Sequence, residues 1–225
     1  MRTWLRPDGR RFVLDPDGPE PVAPGVELYA TVDEADEQAH DRYRQLGFTV
    51  KRREGEYLIP TDPAVTGLAG VEPPAGFVLV RADEVDETRL RLLDDALRQD
   101  VPGTDGWRWA EVDFREETYE SPAFDPAVYL VAVEEPSGEH VGIARIWRKP
   151  ARPRLGLIAV LAPYRRRGLA RALLAPAFAV LHESGQAEVS TEIAETNTAS
   201  RALLEGLGAS RVGGSVELVR RPSGR

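Results

Sequence analysis

The sequence predicts an α/β fold of the α+β type, with a mostly antiparallel sheet flanked by helices. Two apolar runs, 129–133 and 141–147, are joined by the turn-forming residues 135–139, which predicts a β-hairpin. A third apolar run, 157–161, is followed from Gly168 by apolar residues at helical spacing. This pattern predicts a buried strand that leads into an amphipathic helix.

The other elements follow from the same periodicities. In chain order they are a strand at 77–82, a helix at 86–99, an irregular or helical stretch at 100–127, a strand at 187–193, a helix at 197–205, and a hairpin of 210–212 with 216–220 around Gly213 and Gly214. The predicted order is thus strand, helix, irregular or helical stretch, three strands, helix, strand, helix and two strands, which mixes neighbouring strands with strand–helix alternation.

A stretch rich in proline and glycine divides the chain. Residues 63–76 interrupt every regular pattern, so they are predicted to be a linker. We therefore expect an N-terminal extension at 1–62 and a main domain at 77–225. A length of 225 residues is sufficient for one large domain with an appendage.

Composition excludes several classes of function. The chain has no cysteine and three scattered histidines, so neither a disulfide framework nor a metal site is expected. A net charge of −8 disfavours binding to nucleic acid. No apolar run approaches the roughly 18 residues of a membrane span, and the first residues do not resemble a signal peptide. We expect a cytoplasmic protein that binds neither nucleic acid nor membrane.

The turn between the predicted strand and helix has the features of an anion site. It reads Arg-Arg-Arg-Gly-Leu-Ala over residues 165–170 and opens directly into the helix. The first-turn N–H groups of a helix have no partner within the helix, and the helix dipole favours negative charge there. Gly168 allows the backbone to approach a phosphate closely. The segment therefore predicts a cradle for a pyrophosphate.

The pattern Arg165-x-x-Gly168-x-Ala170 after a strand resembles the acetyl-CoA signature of the GCN5-related N-acetyltransferase (GNAT) superfamily. A second segment, 189–208, resembles the next unit of that family, because a strand is followed by Asn197 at the start of a short helix and by a Leu-Gly turn. Residues 77–225 would form one complete copy. The resemblance implies a mixed sheet that is splayed at the acetyl-CoA strand, with acetyl-CoA as co-substrate.

The resemblance also implies which residues contact acetyl-CoA. The strand end would follow the pantetheine arm, the arginine-rich turn would hold the pyrophosphate, and Asn197 would hydrogen-bond the pantetheine. Asn197 is in addition a suitable helix N-cap. The implied contacts are Val160, Leu161, Ala162, Arg165, Arg166, Arg167, Gly168, Leu169, Ala170, Arg171 and Asn197.

The reaction requires a general base. A thioester is attacked by a neutral amine, whereas a lysine-type amine with a pKa of about 10 is protonated at neutral pH. The base must lie within hydrogen-bond reach of that amine, directly or through one water. Glu192 lies five residues before Asn197, where part of the family carries a glutamate base. The resemblance implies this role for Glu192; the alternative is a solvated strand residue that faces away from the cleft.

The expected general acid is missing. Leu204 lies seven residues beyond Asn197, where many family members carry a tyrosine that protonates the departing thiolate. Leucine donates no proton, so either another hydroxyl takes this role or no specific acid is used. The candidate hydroxyls are those of Ser200, one helical turn earlier, and Tyr119.

The N-terminal extension contains an echo of the C-terminal segment at an offset of 161 residues. A strand at 26–32, a helix at 36–46 and a hairpin at 50–59 are predicted there. The identities are Glu27 with Glu188, Leu46-Gly47 with Leu207-Gly208, and Glu56 with Glu217; Tyr43 falls at the place of Leu204. The extension thus resembles the C-terminal half of a GNAT domain without its acetyl-CoA loop. The alternative is an unrelated small α+β cap, and both interpretations make it non-catalytic.

These observations predict an acetyl-CoA-dependent N-acetyltransferase that acts on a primary amine of a small molecule. Two alternatives stay open, a non-catalytic acyl-CoA-binding module and a transferase for a longer acyl chain. Trp107 and Trp109 fall in the segment that lines the acceptor site in the family, although packing is the ordinary role of such aromatic residues. The expected partners are acetyl-CoA, the amine acceptor and, in a homodimer, a second copy of the chain.

Overall fold

A computed structural model describes residues 1–6, 9–18, 25–104 and 106–222 of the chain. The fold is a mixed α+β fold in which most strand pairs are antiparallel. Its elements are β1 (Arg2–Leu5), β2 (Arg11–Asp15), β3 (Leu28–Asp33), α1 (Glu37–Gln45), β4 (Thr49–Pro60), α2 (Pro63–Thr66), β5 (Phe77–Arg81), α3 (Glu87–Arg98), α4 (Glu111–Thr118), β6 (Tyr129–Glu134), β7 (Glu139–Trp147), β8 (Arg154–Val160), α5 (Leu169–Glu183), β9 (Glu188–Ala194), α6 (Thr198–Glu205) and β10 (Ser210–Arg220).

The chain divides into two compact units that are not consecutive in sequence. Unit 1 contains Met1–Glu56, Glu192–Thr196 and Arg211–Arg225, whereas unit 2 contains Tyr57–Thr191 and Asn197–Ser210. Strands β4, β9 and β10 therefore contribute residues to both units. The division at 1–62, 63–76 and 77–225 stays a prediction about domains.

Unit 2 is built on consecutive antiparallel strands. Strand β6 pairs with β5 on one side and with β7 on the other, and β7 pairs with β8. Helix α5 buries one apolar face against β6, β7 and β8. Helices α3 and α4 contribute side chains to a hydrophobic core cluster. Its buried members are Ala82, Leu90, Leu93, Leu97, Phe114, Tyr129, Val131, Ile143 and Leu157. Each buried leucine stabilises the fold by roughly 1.5–3 kcal/mol.

Strands β8 and β9 run parallel and separate soon after they begin. Arg154 pairs with Ser190, and the Thr191 hydroxyl donates to the Leu155 carbonyl at 3.0 Å. On its other side, β8 stays paired with β7 up to Val160, which lies opposite Gly142. Over the described residues, the pairing of β8 with β9 is thus confined to the first residues of β8. The structure therefore has the predicted splay.

Unit 1 has its own core. Within it, β3 and β10 pair as antiparallel strands from Leu28 with Arg220 to Asp33 with Ser215. Strand β2 pairs with β1 and, in parallel, with β3. The buried side chains of this core are Val13, Leu28, Ala30, Val32, Tyr43, Phe48, Val216 and Leu218. Tyr43 and Phe48 pack edge to face with ring centroids 5.1 Å apart, so Tyr43 is a core residue.

The echo at offset 161 extends to local geometry. The offset moves β3 onto β9, α1 onto α6 and β4 onto β10. The N-cap side chains Asp36 and Asn197, which the offset relates, each accept the N–H three residues further on, at 2.9 and 3.1 Å. Within unit 1, Glu34 N–H donates to Gly214 O and Glu195 N–H donates to Arg53 O, both at 3.0 Å. These two bonds are related by the same offset.

The hairpins predicted at 50–59 and 210–220 are wrong, because each segment is one continuous strand. Gly213 and Gly214 do not have the positive φ that a hairpin turn of this type requires. A Cβ atom on Gly214 would lie 2.6 Å from the Glu54 carbonyl oxygen and 2.6 Å from Glu34 Oε2. The glycine therefore permits a close approach of neighbouring strands, which is the second role of glycine in sheets.

Candidate functional site

The predicted cradle is present at the N-terminus of α5. Gly168 is the N-cap with φ 89°, and the first bond within the helix runs from Ala172 N–H to Gly168 O at 3.0 Å. The N–H groups of Leu169, Ala170 and Arg171 precede that bond and have no partner in the helix. Nothing lies within 4 Å of the place of a Gly168 Cβ, so the space in front of the turn is open.

The turn also contains strained backbone. Arg166 has φ 63°, and it is the one non-glycine residue with a positive φ in the described part of the chain. A left-handed conformation costs an ordinary residue roughly 1–2 kcal/mol. Such strain concentrates where ligands are held, and successive N–H groups of alternating hand form a concave anion-binding surface. The backbone of 165–171 thus has the geometry of an anion site.

The arginine side chains of the cradle are unequal. Arg167 donates to the Pro163 carbonyl at 3.2 Å and lies over the ring of Tyr164. Arg171 donates to the carbonyls of Thr66 and Gly67 at 3.0 and 2.6 Å, and so anchors the segment that was predicted to be a linker. Among the described residues, none forms a hydrogen bond or ion pair with the exposed Arg166 side chain. Arg166 is thus the cradle arginine whose guanidinium is available to an anion.

Strand β8 delivers an accessible backbone edge to this turn. Val160 ends the strand, Leu161 N–H donates to the Val141 carbonyl at 2.8 Å, and Ala162 begins a 3₁₀ turn. Gly142, opposite Val160, packs so tightly that a Cβ there would lie 3.2 Å from the Ala159 carbonyl oxygen. Strand β8 is therefore firmly held along the edge that pairs with β7. At the Val160 end, its opposite edge has no strand pairing among the described residues.

Helix α6 holds the second group of predicted residues. The predicted cap is confirmed, because Asn197 Oδ1 accepts the Ser200 N–H at 3.1 Å. This bond occupies the side-chain oxygen of Asn197 and not its amide NH₂ group. Leu204 is buried at 2 % exposure, whereas Ser200 is half-buried. The Tyr119 hydroxyl donates to the Ala82 carbonyl at 3.3 Å, and burial raises the pKa of Tyr119 to about 12.

Glu192 belongs to unit 1 and lines an acidic cavity there. The cavity has a volume of about 240 Å³ and is lined by Thr31, Val32, Asp33, Glu56, Glu192, Gly214 and Ser215. Three of these side chains are carboxylates and two carry hydroxyls. The local sequence pattern does not predict that Asp33 and Glu56 line this cavity with Glu192, although Glu56 is one of the identities of the echo.

A buried polar network in unit 2 was also missed. Asp94 and Arg145 are both fully buried, and they form an ion pair at 3.4 Å. Asp94 also accepts the indole N–H of Trp109 at 2.7 Å, and Arg145 donates to the Glu117 carbonyl at 3.3 Å. Within the part of the chain that the structure describes, no group hydrogen-bonds to the buried Arg145 Nε or to the buried Tyr129 hydroxyl. Trp109 is thus held in place by packing and hydrogen bonds, which is the ordinary role foreseen for it.

No helix among the described residues is both long and apolar enough to cross a bilayer. The described residues thus combine a splayed strand, a left-handed turn and a glycine-capped helix. The model of the acetyltransferase (GNAT) family matches residues 91–209, which is more than half of the chain. The chain therefore belongs to the GNAT acetyltransferase family, whose co-substrate is acetyl-CoA.

Solved structures have the same fold. A GCN5-related N-acetyltransferase from Sphaerobacter thermophilus aligns with a TM-score of 0.70 and 21% identity, over 91% of this chain and 62% of that one. A tandem GNAT protein from the clavulanic acid biosynthesis pathway aligns with a TM-score of 0.65 and 20% identity, over 88% and 65%. The chain thus spans less than two thirds of either structure. No curated protein matches the sequence significantly.

Proposed function

We propose that the protein is an acetyl-CoA-dependent N-acetyltransferase that acts on a primary amine of a small molecule. The observation that carries this proposal is the cradle at Gly168 next to the splayed end of β8, in a chain of the GNAT family. An open, donor-rich helix N-terminus is suited to a pyrophosphate. A free strand edge is suited to an extended arm that carries amides.

The residues present fit acetyl-CoA. The N–H groups from Arg166 to Arg171 would hold the pyrophosphate, and the open space at Gly168 admits it without a clash. The pantetheine arm would follow β8 to Val160, Leu161 and Ala162. The Asn197 amide NH₂, which its cap bond does not use, would donate to that arm. Bound acetyl-CoA supplies the activated acetyl thioester.

Glu192 is the proposed general base. Glu192 accepts one proton from the ammonium group, and the neutral nitrogen then attacks the thioester carbonyl carbon. The carbon–sulfur bond breaks, and the second proton that the nitrogen loses reaches the departing thiolate by way of the Ser200 hydroxyl. The acidic cavity that Glu192 lines with Asp33 and Glu56 supports this role, because carboxylates attract a protonated amine before it is deprotonated. A backbone N–H at the end of β8 would stabilise the oxyanion.

Ser200 is the proposed source of a proton for the departing thiolate. Its half-buried position in the first turn of α6, three residues from Asn197, supports the assignment. Tyr119 is the weaker candidate, because its hydroxyl is directed to the Ala82 carbonyl and its pKa is raised to about 12 by burial. A cytoplasmic location and a homodimer are further predictions from the sequence.

A non-catalytic acyl-CoA-binding module is the second candidate function. The observation that favours it is Leu204, a buried apolar residue at the place where many family members have a proton donor. Such a module would bind acetyl-CoA and release no thiol with any amine.

The test is thiol release from acetyl-CoA with a panel of polyamines, amino acids, aminoglycosides and peptide N-termini. For the best acceptor we expect Glu192→Gln to lower kcat by about 10²–10⁴-fold, which is the usual contribution of a general base. Glu205→Gln, which changes an exposed carboxylate of α6, is the matched control and should keep full activity. Tight binding of acetyl-CoA without turnover on any amine would favour the binding module.

A further inference from the structure

The Arg165 side chain is held by the protein itself. Its Nε donates to the Val160 carbonyl at 2.7 Å, and a terminal nitrogen forms an ion pair with Asp100. Its backbone N–H donates to the Ala162 carbonyl at 3.3 Å. One residue of the cradle thus joins the end of β8 to the residue that lies two positions beyond α3.

The C-terminal end of α3 in turn holds the segment that contains Trp107 and Trp109. The Gln99 side chain donates to the Trp107 carbonyl at 3.1 Å. Asp95 accepts the Trp109 backbone N–H at 2.8 Å. The two indole rings are in contact, with centroids 4.6 Å apart. The two residues that follow α3 therefore have different partners: Gln99 contacts the tryptophan segment, and Asp100 contacts the cradle.

The other end of this connection is rigid. Asp94, which accepts the Trp109 indole N–H, is fully buried and paired with the fully buried Arg145. Buried polar groups with several partners fix the geometry of their surroundings. Asp100 and Arg165, by contrast, are 56% and 44% exposed. The contact between Asp100 and the cradle is thus the part of the connection that can respond to a ligand.

We propose that Arg165 is a positioning residue that couples occupancy of the cradle to the Trp107–Trp109 segment. This inference rests on the proposed acetyl-CoA site. The Arg165 guanidinium already has two protein partners, so the phosphates are left to the backbone N–H groups and to Arg166. An anion seated on the turn fixes Arg165, Arg165 fixes Asp100, and the end of α3 then holds the tryptophans in one position.

The test uses CoA as the probe, with binding measured by calorimetry and backbone amide exchange measured at Trp107 and Trp109. In the wild type we expect CoA to slow exchange at these amides by at least about fivefold. Asp100→Asn should abolish that protection while the CoA dissociation constant changes by less than about threefold, because the exposed ion pair itself contributes little. Asp83→Asn breaks the exposed Arg81–Asp83 pair and is the matched control, with protection retained.

A double-mutant cycle completes the test. Arg165→Gln should abolish the same protection, and combining it with Asp100→Asn should add nothing further. A tenfold or greater loss of CoA affinity in Arg165→Gln alone would identify Arg165 as a phosphate ligand and overturn the inference. CoA binding without slowed exchange at the tryptophans would overturn it as well. A wild type that does not bind CoA would overturn both this inference and the proposed function.

Discussion

Residues 28–60 and 189–220 have the same layout, and they differ in what precedes them and in what their helices carry. Both consist of a strand, a helix with a side-chain N-cap, a glycine of positive φ after the helix, and a long strand. The C-terminal segment follows the cradle and α5. Before the N-terminal segment, the described residues contain strands and no helix.

The contents of the two helices differ as well. Tyr43 in α1 is a buried core residue that packs edge to face with Phe48, and Leu204 in α6 is also buried. Neither copy therefore presents a tyrosine hydroxyl at this place. Strand, cap and turn are therefore shared by both segments, whereas the turn at 165–170, where we propose that acetyl-CoA binds, precedes the C-terminal segment.

The largest expected effect on stability separates two glutamates that the echo relates. Glu217 is buried at 3% exposure beside Arg10, Lys51 and Arg52, with oxygen–nitrogen distances of 3.2–3.4 Å. Glu217→Gln should lower the free energy of unfolding by about 3 kcal/mol, because it leaves these cations without their shared carboxylate. Glu56→Gln, at an exposed position, should change it by less than about 0.5 kcal/mol. Urea denaturation measures both, and equal values would contradict the structural distinction between the copies.

The next effect concerns the cradle at the start of α5, which precedes the C-terminal segment. Gly168→Ala should lower CoA affinity by about 100-fold, because a Cβ would stand in the open space where the backbone meets a phosphate. Gly138→Ala is the control, since Gly138 also has a positive φ (68°) and open surroundings in the β6–β7 turn. Both variants should lose about 1 kcal/mol of stability. Calorimetry should find weakened CoA binding only in Gly168→Ala, and unchanged binding there would remove the cradle from the site.

The smallest effect compares the two caps. Asp36→Ala and Asn197→Ala each remove one side-chain bond to a helix N–H, so each should lower the free energy of unfolding by about 1 kcal/mol. Asn197→Ala should also weaken acetyl-CoA binding by about tenfold, since it removes an amide donor from the proposed pantetheine contact. Equal acetyl-CoA affinity in the two variants would show that Asn197 is a cap and nothing more.

Local chemistry made part of the fold predictable. The strand before the cradle, the glycine-started helix α5 and the Asn197 cap each depend on neighbouring residues, and the structure has all three. The Gly213-Gly214 pair was read as a turn because glycine permits both a positive φ and a close strand contact. Sequence alone does not separate these two uses, and the second one applies here.

Some contacts could not be predicted because they join residues that are far apart in the sequence. Asp94 and Arg145 are distant in sequence, and Arg145 lies in a run that otherwise looks apolar, so no local pattern reveals their buried ion pair. The Arg165–Asp100 contact is of the same kind. Helix α4 falls in a stretch of aromatic and acidic residues without a clear apolar face, and its buried residues are Phe114 and Thr118.

The most direct test of the account is the stoichiometry of acetyl-CoA binding to the full chain, measured by isothermal titration calorimetry. The account predicts one site per chain, because within the described ranges only the C-terminal segment follows a cradle. Two sites would contradict the conclusion that the N-terminal copy lacks acetyl-CoA chemistry. An absence of binding would contradict the assignment of the cradle itself.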